Sequence, residues 1–218
     1  MEEYRTIAET DDSVETLYEI QKSKFITHLR HVESEDESRA FILAMKKRYY
    51  DARHNCSAWV LGPDARLQKS NDDGEPGGTA GNPILEAIKK NGLTDIVVVV
   101  TRYFGGIKLG AGGLIRAYSH SAVLGIEAAH QIAMTPYQEL RVTVDYSLLA
   151  GVENYLRKAG ITWGEPSYAE NVTLPLHVEP AKLDTVLTGL TDLTSAKFTY
   201  EKGDEVLVPV PVPVPIKK

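Results

Sequence analysis

Hydrophobic spacing along the chain switches between strand and helix periods, and each switch marks an element boundary. "YEIQKSKFITHLRHV" is rich in β-formers and predicts a strand or hairpin. "SEDESRAFILAMKKRYY" follows with helical spacing. Ser34 serves as its cap, acids fill its first turn, and Lys46, Lys47 and Arg48 fill its last, the order a helix dipole favours. Phe41, Ile42 and Met45 mark its inward stripe. "HNCSAWVLG" predicts a short strand ended by Gly62 and Pro63. "QKSNDDGEPGGTAG" has neither period and predicts a long surface loop. It gives way to a helix over "NPILEAIKKNG", with Asn82 as N-cap, Pro83 in the first helical position and Gly92 past the end. "TDIVVVVTRY" is a β-branched run without alternation, which predicts a strand covered on both faces. A glycine-dense turn comes next, then a long helix over "GGLIRAYSHSAVLGIEAAHQIA" with Leu114, Tyr118, Ser121 and Gly125 on one small-residue face.

After Pro136 the pattern restarts. "YQELRVTVDY" alternates as a half-exposed strand. "SLLAGVENYLRKAG" predicts a helix capped by Ser147 and ended by Gly160. "ITWGEPSY" and "ENVTLPLHV" predict a hairpin, "PAKLDTVLTGL" a helix and "SAKFTYEKG" a final strand. The order βαββαβ is that of a ferredoxin-like sandwich, so the chain divides near residues 134 to 138. This gives an α+β protein with a domain over 1–135, a ferredoxin-like domain over 139–202 and a valine-proline tail over 206–218. In an extended strand the four tail prolines (209, 211, 213, 215) disarm one edge and leave the alternate valines able to pair on the other. Composition favours instead a mobile, polyproline-like tail.

Composition excludes several classes. No window approaches 18 uninterrupted apolar residues, so no membrane span is expected. The acidic, polar N-terminus is not a signal peptide. Cys56 is the single cysteine, which rules out an internal disulfide and fits a reducing, cytoplasmic setting. The formal charge of −6 argues against indiscriminate nucleic-acid binding, yet it is uneven. The first twenty residues carry seven acids against Arg5 alone, whereas Gln21 to Thr135 hold fifteen Lys and Arg against twelve Asp and Glu. A local basic surface is compatible with that distribution.

The candidate chemistry centres on "FGGIKLGAGGLIRAY", residues 104 to 118. Backbone N–H groups of "GAGG" at a helix start, with Lys108 before them and Arg116 on the first turn, form a pattern that suits an anion. Neither a P-loop nor a dinucleotide fingerprint is present: Lys108 precedes Leu109 and Gly110, and Ile115 stands where the fingerprint needs glycine. The bland alternative is a tight strand-to-helix turn. Asp72, Asp73 and Glu75 in the preceding loop do not match calcium spacing, and their vocabulary is that of turns, so no metal is expected. His54 and Cys56 share a strand face, but about 6.6 Å of backbone separates them, too far for a nucleophile-and-base pair. His28 and His31 face opposite sides of their strand. No cofactor and no catalytic residue is indicated.

The motifs "KSKFITHL", "DARHNCSAWVLG", "SNDDGEPGGTAGNPIL" and "VVVVTRYFGGIKLGAGGLIRAYSHSA" together resemble the Impact family, in particular its bacterial YigZ-like members, over residues from about 17 to 128. Residues 139 to 200 resemble the small C-terminal domain of those members. The resemblance implies an N-terminal βαβ sandwich similar to the second domain of a small-subunit ribosomal protein, and a C-terminal domain similar to ferredoxin-like domains of elongation factor G. It implies a translation-associated regulator that binds RNA, the ribosome or a regulatory protein. Eukaryotic relatives compete for the activator of a kinase that controls translation initiation, but through a different accessory domain. The same sandwich occurs in small-molecule kinases, so an enzyme acting on a phosphorylated small molecule or nucleotide at the turn is the alternative. The family's motif positions here are His54, Cys56, Asp73, Gly74, Glu75, Pro76, Arg102, Tyr103, Phe104, Gly105, Gly106, Lys108, Gly110, Gly113 and Arg116. His54, Asp73, Glu75, Arg102, Tyr103, Gly105, Gly106, Lys108, Gly110, Gly113 and Arg116 are the candidate binding residues. Gly77 and Gly78 replace a more variable pair, and Asn71 stands at a position often acidic.

Overall fold

The computed structural model describes residues 1–9 and 14–212, which form two compact units. Among the described residues, one comprises those of Tyr4–Met134 with 209–212; the other comprises Thr135–Val208 with Met1–Glu3.

In the first unit the chain opens on β1 (Tyr4–Ile7), a strand that the acidic N-terminal pattern does not announce. A hairpin of β2 (Val14–Ile20) and β3 (Ser23–His31) follows, its two-residue turn holding Gln21 and Lys22 at positive φ. Helix α1 (Glu35–Arg48) starts at Ser34 as expected, whose hydroxyl accepts the Glu37 N–H at 3.2 Å. Strand β4 (His54–Leu61) pairs with β5 (Leu67–Asn71), which corrects the long-loop expectation. The polar run "LQKSN" is a strand because an edge strand needs backbone pairing on one side only, so its side chains face water. The loop shrinks to residues 72–80.

Helix α2 (Gly81–Lys90) begins one residue before Asn82, and Asn82 does not cap it. Asp72 does so from a distance: one of its carboxylate oxygens accepts from Ala80 N and Gly81 N at 3.0 and 2.8 Å, the other from Gly78 N at 2.8 Å. Burial opposes the Asp72 charge, but these three donors outweigh it and hold the carboxyl below its usual range. Strand β6 (Ile96–Tyr103) and helix α3 (Gly110–Ala128) complete the unit. The helix stops at Ala128, short of the expected 133, because Gln131 onward joins a sheet.

The sheet runs β2-β3-β6-β4-β5, every pair antiparallel. Its central strand β6 sends Ile96, Val98 and Val100 into a core with α2 and α3, and Val97 and Val99 into a second core under α1. That double cover is what the unalternating valines predict.

Strand β7 (Gln131–Val144) runs unbroken through Pro136. The missing N–H is harmless there, because Gln131 to Met134 pair with β1 and Gln138 to Val144 with a later strand, leaving Pro136 between the two ladders. The second unit then continues with α4 (Tyr146–Lys158), β8 (Ser167–Tyr168), β9 (Val172–Val178), a 3-10 turn over Pro180–Lys182, α5 (Leu183–Thr194) and β10 (Phe198–Pro211). Asp145 rather than Ser147 caps α4, accepting from Ser147 N at 2.8 Å. The strands lie in the order β10, β7, β9, β8 over a core of Leu140, Val142, Leu156, Leu174, Leu176 and Leu190.

Strand β10 overturns the mobile-tail reading as far as Pro211. Val212 N donates to Gln131 O at 3.2 Å. Even-numbered residues therefore face β7, and Pro209 and Pro211 fall on the outer edge, where no donor is required. Pro213, Val214 and Pro215 lie outside the described residues.

Candidate functional site

The antiparallel register sets His54 of β4 opposite Arg102 of β6. The start of β4, the end of β6, the loop after β5 and the first turn of α3 therefore meet at one end of the sheet. Between them lies a cleft of about 830 Å³, lined by Asp51, Arg53, His54, Glu75, Pro76, Arg102, Tyr103, Phe104, Lys108 and the start of α3 from Leu109 to Ala111. Sequence reading left open whether the 70s loop and the glycine-rich turn share a site; Glu75 and Lys108 line the same cleft.

Its floor is a buried polar network. Arg102 donates through Nη1 to Glu75 Oε1 at 2.6 Å, with the side chains 8% and 4% exposed. Tyr118 donates to the same oxygen at 2.8 Å, and the Cys56 thiol lies 3.3 Å from the Tyr118 hydroxyl. Burial pushes the Cys56 thiol up to about 12, so it is a packed thiol and no nucleophile near neutral pH. The guanidinium of Arg102 is 5.5 Å from the Phe25 ring centroid and 5.6 Å from that of Phe104. Its Nε is buried with no hydrogen-bond partner.

The wall is set by the loop. Asp73 binds Lys46 of α1 at 2.5 Å and the Asn55 N–H at 2.7 Å, while its carbonyl sits 2.9 Å from His54 Nδ1. A carbonyl only accepts, so Nδ1 is the donor of this bond, and in the neutral ring Nε2 is the acceptor. Asp73 thus positions His54 and does not itself line the cleft. Asp72, Asp73 and Glu75 each serve a different partner, and among the described residues no group of three His, Cys, Asp or Glu is placed to hold a metal ion. Tyr103 donates to Asp51 at 2.6 Å, and this bond, with burial secondary, raises the phenol to about 12.

The turn itself is shaped by two glycines. At Gly105 a Cβ would collide with the Lys22 backbone, and its N–H donates to Ser23 Oγ at 3.1 Å, which pins the turn to the β2–β3 hairpin. Gly110 opens α3 at φ +71°, a conformation side chains resist. The first turn of α3 has no side-chain cap and no acid, so among the described residues no side chain pairs its N–H groups beside Lys108. Arg53 and Lys108 are exposed and form no ion pair among the described residues. Arg116 and Gly113 do not reach this cleft. They line a separate one with Tyr18, Ile20, Gln21 and His120. Asp51 and Arg53 line the cleft outside the expected binding residues, with the adjacency of "DARHN" to His54 as their signal, and Phe104, a motif position that was not among the candidate binding residues, lines it too.

Comparison with known proteins adds the following. Residues 21–126 match the Impact N-terminal domain, a span that contains the whole cleft, and residues 142–197 match a domain of unknown function, DUF1949. The IMPACT family member YvyE of Bacillus subtilis strain 168 is 44% identical over 185 residues, 85% of each chain. The IMPACT family member YigZ of Escherichia coli K12 is 36% identical over 183 residues, 83% of this chain and 90% of its own. A crystal structure described as that of an hypothetical protein aligns over 95% of this chain and 98% of its own, with TM-score 0.59 and 32% identity.

Proposed function

Because the chain belongs to the IMPACT family, we propose that it is a translation-associated regulatory protein that docks on ribosomal RNA through the turn between β6 and α3. The observation that carries this reading is the make-up of that turn's surface. Phe104 and Ile107 in the turn and Ile115 on α3 are 55%, 46% and 43% exposed, and Ile107 and Ile115 are each followed by an exposed cation, Lys108 and Arg116. Cations that meet phosphate, interleaved with apolar groups that meet bases, are what an RNA surface selects. The concentration of positive charge on an otherwise acidic chain favours this patch over general adhesion.

The architecture is consistent with such a role. The C-terminal unit has the βαββαβ order and the strand arrangement β10-β7-β9-β8 of a ferredoxin-like sandwich, which supports the likeness to elongation factor G domains. The first unit, an antiparallel sheet between helices, is the part proposed to resemble the ribosomal-protein domain. Docking of this kind places the protein in the cytoplasm with its target, and it needs no chemistry at the turn.

Co-sedimentation of the purified protein with ribosomes across a salt series tests the reading. Saturable binding is expected at low salt, weakening steeply as salt rises. The Lys108→Ala/Arg116→Ala variant should bind at least tenfold more weakly with a salt slope lower by about two, one per lost phosphate contact. Wild-type protein that stays in the supernatant at low salt would sink the reading.

A further inference from the structure

The cleft below the turn has features that flat docking does not use. Two cations, Arg53 and Lys108, line it without acidic partners among the described residues. Of the other charges in the lining, Glu75 is paired with Arg102, while Asp51 accepts from the neutral Tyr103 hydroxyl and keeps its charge. Arg53, Arg102 and Lys108 against Asp51 and Glu75 leave the lining one positive charge in excess, beside the uncapped first turn of α3, whose Gly110 and Ala111 line the same space. A second, independent observation comes from the floor. Arg102 is 8% exposed, lines the cleft, and keeps a buried Nε with no partner, which leaves a strong donor unmatched inside the protein.

The rest of the lining is largely apolar and includes an aromatic ring. Phe104 is 55% exposed yet lines the cleft, and Arg102 approaches its ring within 5.6 Å. Pro76, Leu109 and Leu114 complete this apolar part. About 830 Å³ is within the range of pockets that enclose small molecules.

We propose that this cleft binds a nucleotide by its phosphate monoester. The phosphate sits on the N–H groups of α3 between Lys108 and Arg53, and the base lies against Phe104. Charge selects the monoester. A terminal phosphate carries about −1.5 to −2 at neutral pH and can engage Lys108, Arg53 and the helix N-terminus together, whereas an internal diester carries about half that charge. Helix N-terminus and cations act on the same group, so both contributions vanish together when the phosphate is removed. His54, whose Nδ1 donates to the Asp73 carbonyl, lines the cleft and leaves Nε2 for a ribose hydroxyl. The same chemistry is offered by a free nucleoside monophosphate and by the 5′-phosphorylated end of an RNA. The site goes beyond ribosome docking and does not depend on it.

Isothermal titration of the full chain at low salt decides the matter. The probes are the four ribonucleoside 5′-monophosphates, their nucleosides, inorganic phosphate, and one hexaribonucleotide with and without a 5′-phosphate. At least one monophosphate should bind, its nucleoside at least tenfold more weakly, with phosphate as a competitor. Lys108→Met and Arg53→Met, both at exposed positions, should each weaken the monophosphate about tenfold with an unchanged melting temperature. Phe104→Ala should weaken the nucleotide and leave inorganic phosphate unaffected. Preference for the phosphorylated hexamer over the free nucleotide assigns the site to RNA ends; the reverse assigns it to free nucleotides. No monophosphate binding at millimolar concentration, equal binding of nucleosides, or indifference to both cation variants overturns the proposal. Arg116→Ala, in the other cleft, should leave the mononucleotide titrations unchanged while weakening ribosome binding, so failure of docking and failure of this site are read separately.

Discussion

Glu75 is the residue on which the cleft depends most. It accepts from both Arg102 and Tyr118 inside the protein, and its removal leaves a guanidinium 92% buried without a counter-charge. Glu75→Gln preserves shape and removes that charge. It should cost about 3–5 kcal/mol in urea denaturation, the range for breaking one half of a buried ion pair. Glu75→Gln with Arg102→Met should recover most of that loss, since the orphaned charge is then gone. A single variant within about 1 kcal/mol of wild type would mean the pair does not hold the floor together. The loop vocabulary "NDDGEPGG" reads as turn residues, and no spacing rule links Glu75 to Arg102, 27 positions away in sequence.

At the scale of elements, Asp72 shows how a cap escapes local reading. Asn82 is a good N-cap by type, but the helix starts before it, and Asp72 supplies the acceptor from eight and nine residues upstream. Asp72→Ala should destabilise by about 1–2 kcal/mol at neutral pH, the upper part of the range for lost caps. It should also raise hydrogen exchange in the first turn of α2. The sign with pH follows from the depressed folded value. Asp72 contributes fully above the unfolded carboxyl value of about 3.9, and its contribution fades as pH falls through the lower folded value. The gap between wild type and variant should therefore be level from pH 8 to about 5 and close only in acid. A gap that grows on acidification contradicts this. The helix start at Ser34 was legible because its cap and partner are three residues apart.

For the whole molecule, β7 and β10 matter most, since each runs from one compact unit into the other. Sequence reading divided the chain at 134 to 138 on the restart of the pattern; the chain crosses there as a continuous strand. The outer edge of β10 carries Pro209 and Pro211. Pro209→Val/Pro211→Val returns two donors to that edge and should produce concentration-dependent self-association in light scattering. A variant that stays as dispersed as wild type would show that the prolines do not guard it.

The sequence by itself determined what depends on neighbours along the chain: the helical and strand periods, the Ser34 cap, the doubly covered β6, and the family, whose motifs are contiguous runs. Tertiary structure decided what depends on distant partners. The strand β5 exists because β4 offers it an edge; Asp72 caps α2 because the loop folds back; and Arg116 parts from Lys108 because α3 turns it toward another cleft. His54, Glu75, Arg102 and Lys108 were picked out one by one, but only the β4–β6 register brought them around one space. Hydrogen bonding and burial between residues far apart in sequence leave no period to read, and that is where the candidate site was made.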